Sequence, residues 1–138
     1  MSRILGFTLL AAMALAAPAR ADMVNFKGMM SGAQEVPANT TGGKGDVLAT
    51  LDTKTKMLSY TVTYSGLSGP ATAGHIHGPA AAGANAGVAI PFASAASPIT
   101  GTATLTDAQM ADLMAGKMYA NVHTAANPGG EIRGQMTK

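Results

Sequence analysis

The chain has 138 residues, 9 Lys+Arg against 7 Asp+Glu, and no cysteine. That length suits one domain, and the lack of cysteine excludes both a disulfide staple and a thiolate metal site. Two of the basic residues, Arg3 and Arg20, lie near the N-terminus, and the rest of the chain carries seven of each sign, so no basic surface for nucleic acid is expected.

The first segment has the pattern of a secretion signal. Arg3 gives it a positive start, Ile4 to Ala17 is an apolar run broken only by Gly6 and Thr8, and Ala19-Arg20-Ala21 is a small-x-small cleavage site. The expected boundary puts a signal peptide at residues 1–21 and one domain at residues 22–138. The apolar run is shorter than the roughly 20 residues of a membrane span. The expected location is therefore periplasmic or secreted, with no membrane attachment after cleavage.

From Val24 onward, runs rich in Val, Thr, Tyr and Met alternate with Gly, Pro, Asn and Asp at short spacing. This rhythm predicts an all-β fold, a Greek-key sandwich or barrel of about eight antiparallel strands. The strands are expected near residues 24–31, 45–51, 57–64, 72–77, 87–92, 99–105, 117–123 and 130–137. The clearest alternation puts Leu58, Tyr60, Val62 and Tyr64 on one face and Ser59, Thr61 and Thr63 on the other. The polar turn Asp52-Thr53-Lys54-Thr55 before it predicts a hairpin. The Gly- and Ala-rich stretch 78–87 has no Lys-Ser/Thr ending and reads as a loop, not a phosphate cradle. One short helix follows Thr106, which forms a capping box with Gln109; Met110, Leu113 and Met114 share its expected core face, and Gly116 stops it.

The chemistry is concentrated in three histidines. His75-Ile76-His77 sits in a predicted strand, where residues two apart point to one face with Cα atoms about 6.6 Å apart. Ile76 then faces the core. In Met118-Tyr119-Ala120-Asn121-Val122-His123 the same alternation puts Val122 inward and Tyr119, Asn121 and His123 on the opposite face. If the two strands meet, His75, His77 and His123 can share one metal ion and leave a coordination position open. Imidazole donors suit copper, zinc, iron or nickel, with copper first on affinity and zinc second.

The C-terminal run Asn127-Pro128-Gly129-Gly130-Glu131-Ile132-Arg133-Gly134 combines a turn with a strand. Glu131 and Arg133 are expected on one face, either as an exposed cross-strand ion pair or beside the metal, where Arg133 would attract anions. Arg133, Glu131, Asn121 and Tyr119 are thus the expected neighbours of the histidines. Glu35 is a candidate partner for Arg133 or a loop cap. No complete nucleophile triad or glycosidase carboxylate pair is present as a motif, and no catalytic residue is assigned.

Four ordered blocks carry a family resemblance: residues 32–37 (Gly-Ala-Gln-Glu-Val-Pro), 73–79 (Ala-Gly-His-Ile-His-Gly-Pro), 119–124 (Tyr-Ala-Asn-Val-His-Thr) and 127–134. The sequence resembles the CHRD (chordin-type) domain family from about Val24 to the C-terminus. That family includes secreted animal proteins and single exported bacterial domains, so the resemblance implies export but no specific activity. A weaker resemblance links His75, His77, His123 and Arg133 to the copper/zinc superoxide dismutases. There a His-x-His pair, a later histidine and an arginine occur in this order on a Greek-key barrel. That likeness implies a superoxide dismutase-like fold and mononuclear copper. The sequence lacks the histidine that bridges two metals, the zinc loop and the cysteines of those enzymes. Three functions follow as expectations: copper binding, buffering or delivery; a copper-dependent redox enzyme; or a metal-free interaction module with an unknown protein partner.

Overall fold

A computed structural model describes residues 16–17 and 21–138. The predicted signal segment lies outside the described residues apart from Ala16, Ala17 and Ala21. Among the described residues, eight strands appear in the expected order: β1 (Met23–Ser31), β2 (Lys44–Asp52), β3 (Met57–Ser65), β4 (Ala71–His77), β5 (Val88–Pro91), β6 (Ile99–Thr104), β7 (Tyr119–Thr124) and β8 (Ile132–Gln135). All pairings are antiparallel, in the spatial order β5-β4-β7-β8-β1-β2-β3-β6. The sheet curls into a nearly closed barrel around one core. Its two ends, β5 and β6, approach through the segment between them. The Phe92 ring lies 5.1 Å from that of Tyr60, and Tyr64 donates its hydroxyl to Ala95 O. The strand after β3 in the chain is β4, yet β6 is the one that pairs with β3, so long connections cross the barrel in Greek-key fashion.

The alternation in β3 operates as expected: Leu58, Tyr60 and Val62 are buried while Ser59 and Thr63 are exposed. Asp52 caps the hairpin turn by accepting from the backbone N–H groups of Lys54 and Thr55, which pins β2 to β3 in register from Lys44↔Ser65 to Asp52↔Met57. A fully buried side chain such as Leu51 or Leu58 contributes about 1.5–3 kcal/mol. With no disulfide available, this aliphatic interior carries the stability. At the β1–β8 seam the backbones run so close that a Cβ on Gly134 would lie 2.8 Å from Met29 O, a space only glycine leaves.

The helix α1 (Asp107–Met114) has the complete predicted capping box, with Thr106 Oγ1 accepting from Gln109 N and Gln109 Oε1 accepting from Thr106 N. Gly116 follows at φ 72°, a left-handed conformation suited to glycine. One expectation needs correction. Leu113 is buried and Met110 packs against the core, but Met114 is 37% exposed. Two turns of helix lying on a curved wall present a narrower face than the three residues require. Among the described residues, no helix is long and apolar enough to cross a membrane.

Candidate metal centre

β4 and β7 lie side by side, with His75 opposite Asn121, His77 opposite Tyr119 and Ala73 opposite His123. Ile76 and Val122 enter the core, so alternation sends all three histidines to the other face, where loops cover them. His77 and His123 are buried and His75 is partly buried. One ring nitrogen from each residue lies within 4.8 Å of the others. The His75 and His77 rings meet edge to face at 5.3 Å, as do His75 and His123 at 4.9 Å.

Backbone carbonyls decide which nitrogens are free. His77 Nδ1 lies 3.0 Å from Ala86 O, and His123 Nδ1 lies 2.9 Å from Pro128 O. A carbonyl only accepts, so each Nδ1 holds the proton and each Nε2 carries the lone pair. His77 Nε2 is buried and has no hydrogen-bond partner. His75 Nδ1 sits 3.0 Å from His123 Nε2. Two nitrogens bound to one ion at about 2.0–2.1 Å and a right angle would be about 2.9 Å apart. This spacing thus suits either a shared proton or a shared metal. Carbonyl-anchored imidazoles are the usual support of metal-ligating histidine.

Electrostatics also keep lone pairs available. Burial pushes the pKa of His75 below the ordinary histidine value, and neighbouring His123 adds to the shift. Burial lowers His77 as well; the Ala86 hydrogen bond opposes this, while His75, His123 and Arg133 reinforce it. Neutral imidazole is the form that binds a metal.

The other expected neighbours divide into two groups. Tyr119 lies parallel to His77, with ring centroids 5.0 Å apart and planes 4° from parallel. The Arg133 guanidinium lies over the Tyr119 ring, 3.5 Å from its centroid, a cation–π contact. Arg133 is 1% exposed and donates to Ala84 O, Ala81 O, Asn85 Oδ1 and Gln135 Oε1. Its role in the fold is to fasten loop 78–87, whose Ala86 also bonds the Tyr119 hydroxyl. Most of these contacts are made by the loop's backbone, with the Asn85 side chain the exception, which suits a segment rich in Gly and Ala. Nothing in the sequence distinguishes Ala86 or Pro128 as partners of the histidines, because any residue type can present a carbonyl.

Glu131 points elsewhere. Its carboxylate accepts from Thr41 Oγ1, Ser68 N, Ser68 Oγ, Thr124 Oγ1 and Asn127 Nδ2. The expectation of an exposed Glu131–Arg133 pair is corrected: both are buried, and their hydrogen-bond partners are different. Asn121 donates to Glu35 Oε1 and to Ile132 O. Glu35, a candidate partner for Arg133 or a loop cap, therefore meets Asn121. Gly130 makes room here at φ 130°, where a Cβ would lie 2.5 Å from the Asn121 amide and 2.7 Å from Glu35 Oε1.

Burial raises the Glu35 pKa to about 7, against opposing effects of the Asn121 hydrogen bond and the Arg133 charge. The folded protein then holds this proton more tightly than the unfolded chain, so stability falls as pH rises from about 4.5 through 7. Glu35→Gln keeps a carbonyl acceptor for Asn121 and removes the charge. Thermal melts of the variant should match the parent at pH 4 and lie higher at pH 8; a parent advantage at pH 8 would contradict the burial argument.

The fold and site together define a small antiparallel β-barrel with a three-histidine cluster, two of its rings anchored on backbone carbonyls, that can hold a metal ion. The chain belongs to the CHRD-domain family, whose profile matches residues 26–136. No curated protein matches the chain. No solved structure matches it either, so the dismutase resemblance rests on residue order alone.

Proposed function

We propose that the protein is an exported domain that binds one copper ion through His75, His77 and His123, for metal binding, buffering or delivery. The observation that carries this reading is the buried, unpartnered Nε2 of His77 within a cluster of ring nitrogens less than 5 Å apart. A buried polar atom without a partner costs about 1–3 kcal/mol, and a bound ion would offset that cost. An all-nitrogen donor set supports copper first and zinc second. Export rests on the signal pattern of residues 1–21, and the secreted chain should begin at Asp22.

Metal analysis of the protein recovered from the periplasm, followed by titration of the metal-free form with Cu(II), tests the reading. One tightly bound copper per chain is expected. Failure to bind, or binding unaffected by loss of the histidines, would leave the metal-free interaction module in front. A copper-dependent oxidoreductase is the second reading, favoured by the partial exposure of His75. A superoxide-removal assay on the copper-loaded protein separates it from a carrier.

A further inference from the structure

We propose that the filled site takes a small anion as an additional, exogenous copper ligand, entering along the His75 edge. This inference rests on the copper reading and concerns what completes the coordination.

The three donors are all neutral imidazoles, and no carboxylate joins their cluster among the described residues. Glu131 is engaged by Thr41, Ser68, Thr124 and Asn127, and Glu35 is directed to Asn121. A divalent ion held by His75, His77 and His123 therefore keeps its full charge at the point of binding. Partial burial makes that uncompensated charge costly, and an anion beside it is the simplest compensation. Arg133 adds a second positive charge nearby, over the Tyr119 ring that stacks with His77. Its donors are used on loop carbonyls and Gln135, so it contributes field rather than a direct contact.

Burial also distinguishes the three donors. His77 lies between Tyr119 and the Ala86 carbonyl, and His123 is held against the turn at Pro128. Both are buried, whereas His75 is partly exposed. Three donors leave at least one position unfilled on copper or zinc, and His75 is the one donor of the three that is not buried.

The test uses the purified protein loaded with one equivalent of Cu(II) and titrated with sodium azide. Visible absorption and electron paramagnetic resonance report the copper, and water-proton relaxation reports exchangeable water. The expected result is an azide-to-copper charge-transfer band that saturates at one azide per copper. The copper hyperfine pattern should change, and relaxation enhancement should fall over the same azide range. Unchanged spectra with copper still bound would overturn the anion site and leave the metal site standing. Azide that strips copper out without a saturable complex would overturn it as well. Failure of copper to bind before azide is added would instead strike the parent reading.

Discussion

His123→Ala should lower copper affinity by about 100-fold or more while the barrel stays folded. Altering groups that merely orient a ligand costs roughly 10–100-fold, so loss of one donor in three should reach at least the top of that range. The variant also removes the acceptor of the His75 contact and frees Pro128 O. Each lost hydrogen bond is worth about 1 kcal/mol, too little to unfold a domain whose interior is built from other side chains. Competitive titration of Cu(II) against a chromophoric chelator measures the first effect, and a denaturant melt measures the second. Unchanged copper affinity in a folded variant would end the three-histidine site. Acidification should weaken binding in the parent too, because protons compete for the same nitrogens.

Glu131→Gln should produce the largest loss of stability, about 3 kcal/mol or more from the hydrogen bonds disrupted. The carboxylate joins the lead-in to β2 through Thr41, the β3–β4 connection through Ser68, the end of β7 through Thr124 and the following turn through Asn127. An amide offers one acceptor oxygen and turns two N–H donors toward groups that themselves donate. The parent should also show the effect as a pH dependence. Burial by itself would raise the Glu131 pKa, but the hydrogen bonds from Ser68, Thr124 and Asn127 override it and bring the value down to about 2. The depressed value means that this stabilisation is fully present above about pH 4.5 and disappears as pH falls toward 2. Urea melts across that range should show a steep acid limb in the parent and a flatter one in the variant. Equal stability of the two at pH 7 would show that the network carries no net energy.

The two effects separate stability from chemistry along neighbouring strands. His123 and Thr124 are adjacent in β7, yet one joins the imidazole cluster and the other the Glu131 network. Both networks lie outside the barrel core, and both are closed by the 127–131 turn, which supplies the Pro128 carbonyl to the first and Asn127 with Glu131 to the second.

What the sequence by itself determined was whatever depends on local periodicity. Two-residue alternation in Leu58-Ser59-Tyr60-Thr61-Val62 and in His75-Ile76-His77 is a property of extended backbone, so strand faces and the shared face of His75 and His77 were legible. The capping box at Thr106 and the turn at Asp52 were equally local. Tertiary structure decided the rest. That β4 lies against β7, bringing His123 to the pair 46 or 48 positions earlier in the chain, depends on long connections with no local signature. Glu131 and Arg133 are two residues apart at the start of β8, yet one accepts from three loops and the end of β7 and the other fastens residues 81–85 over Tyr119. Periodicity could assign them a face but not partners. The carbonyls of Ala86 and Pro128, which fix the tautomer of two histidines, carry no side-chain identity at all. Backbone groups acquire a role only when folding brings them within hydrogen-bond distance.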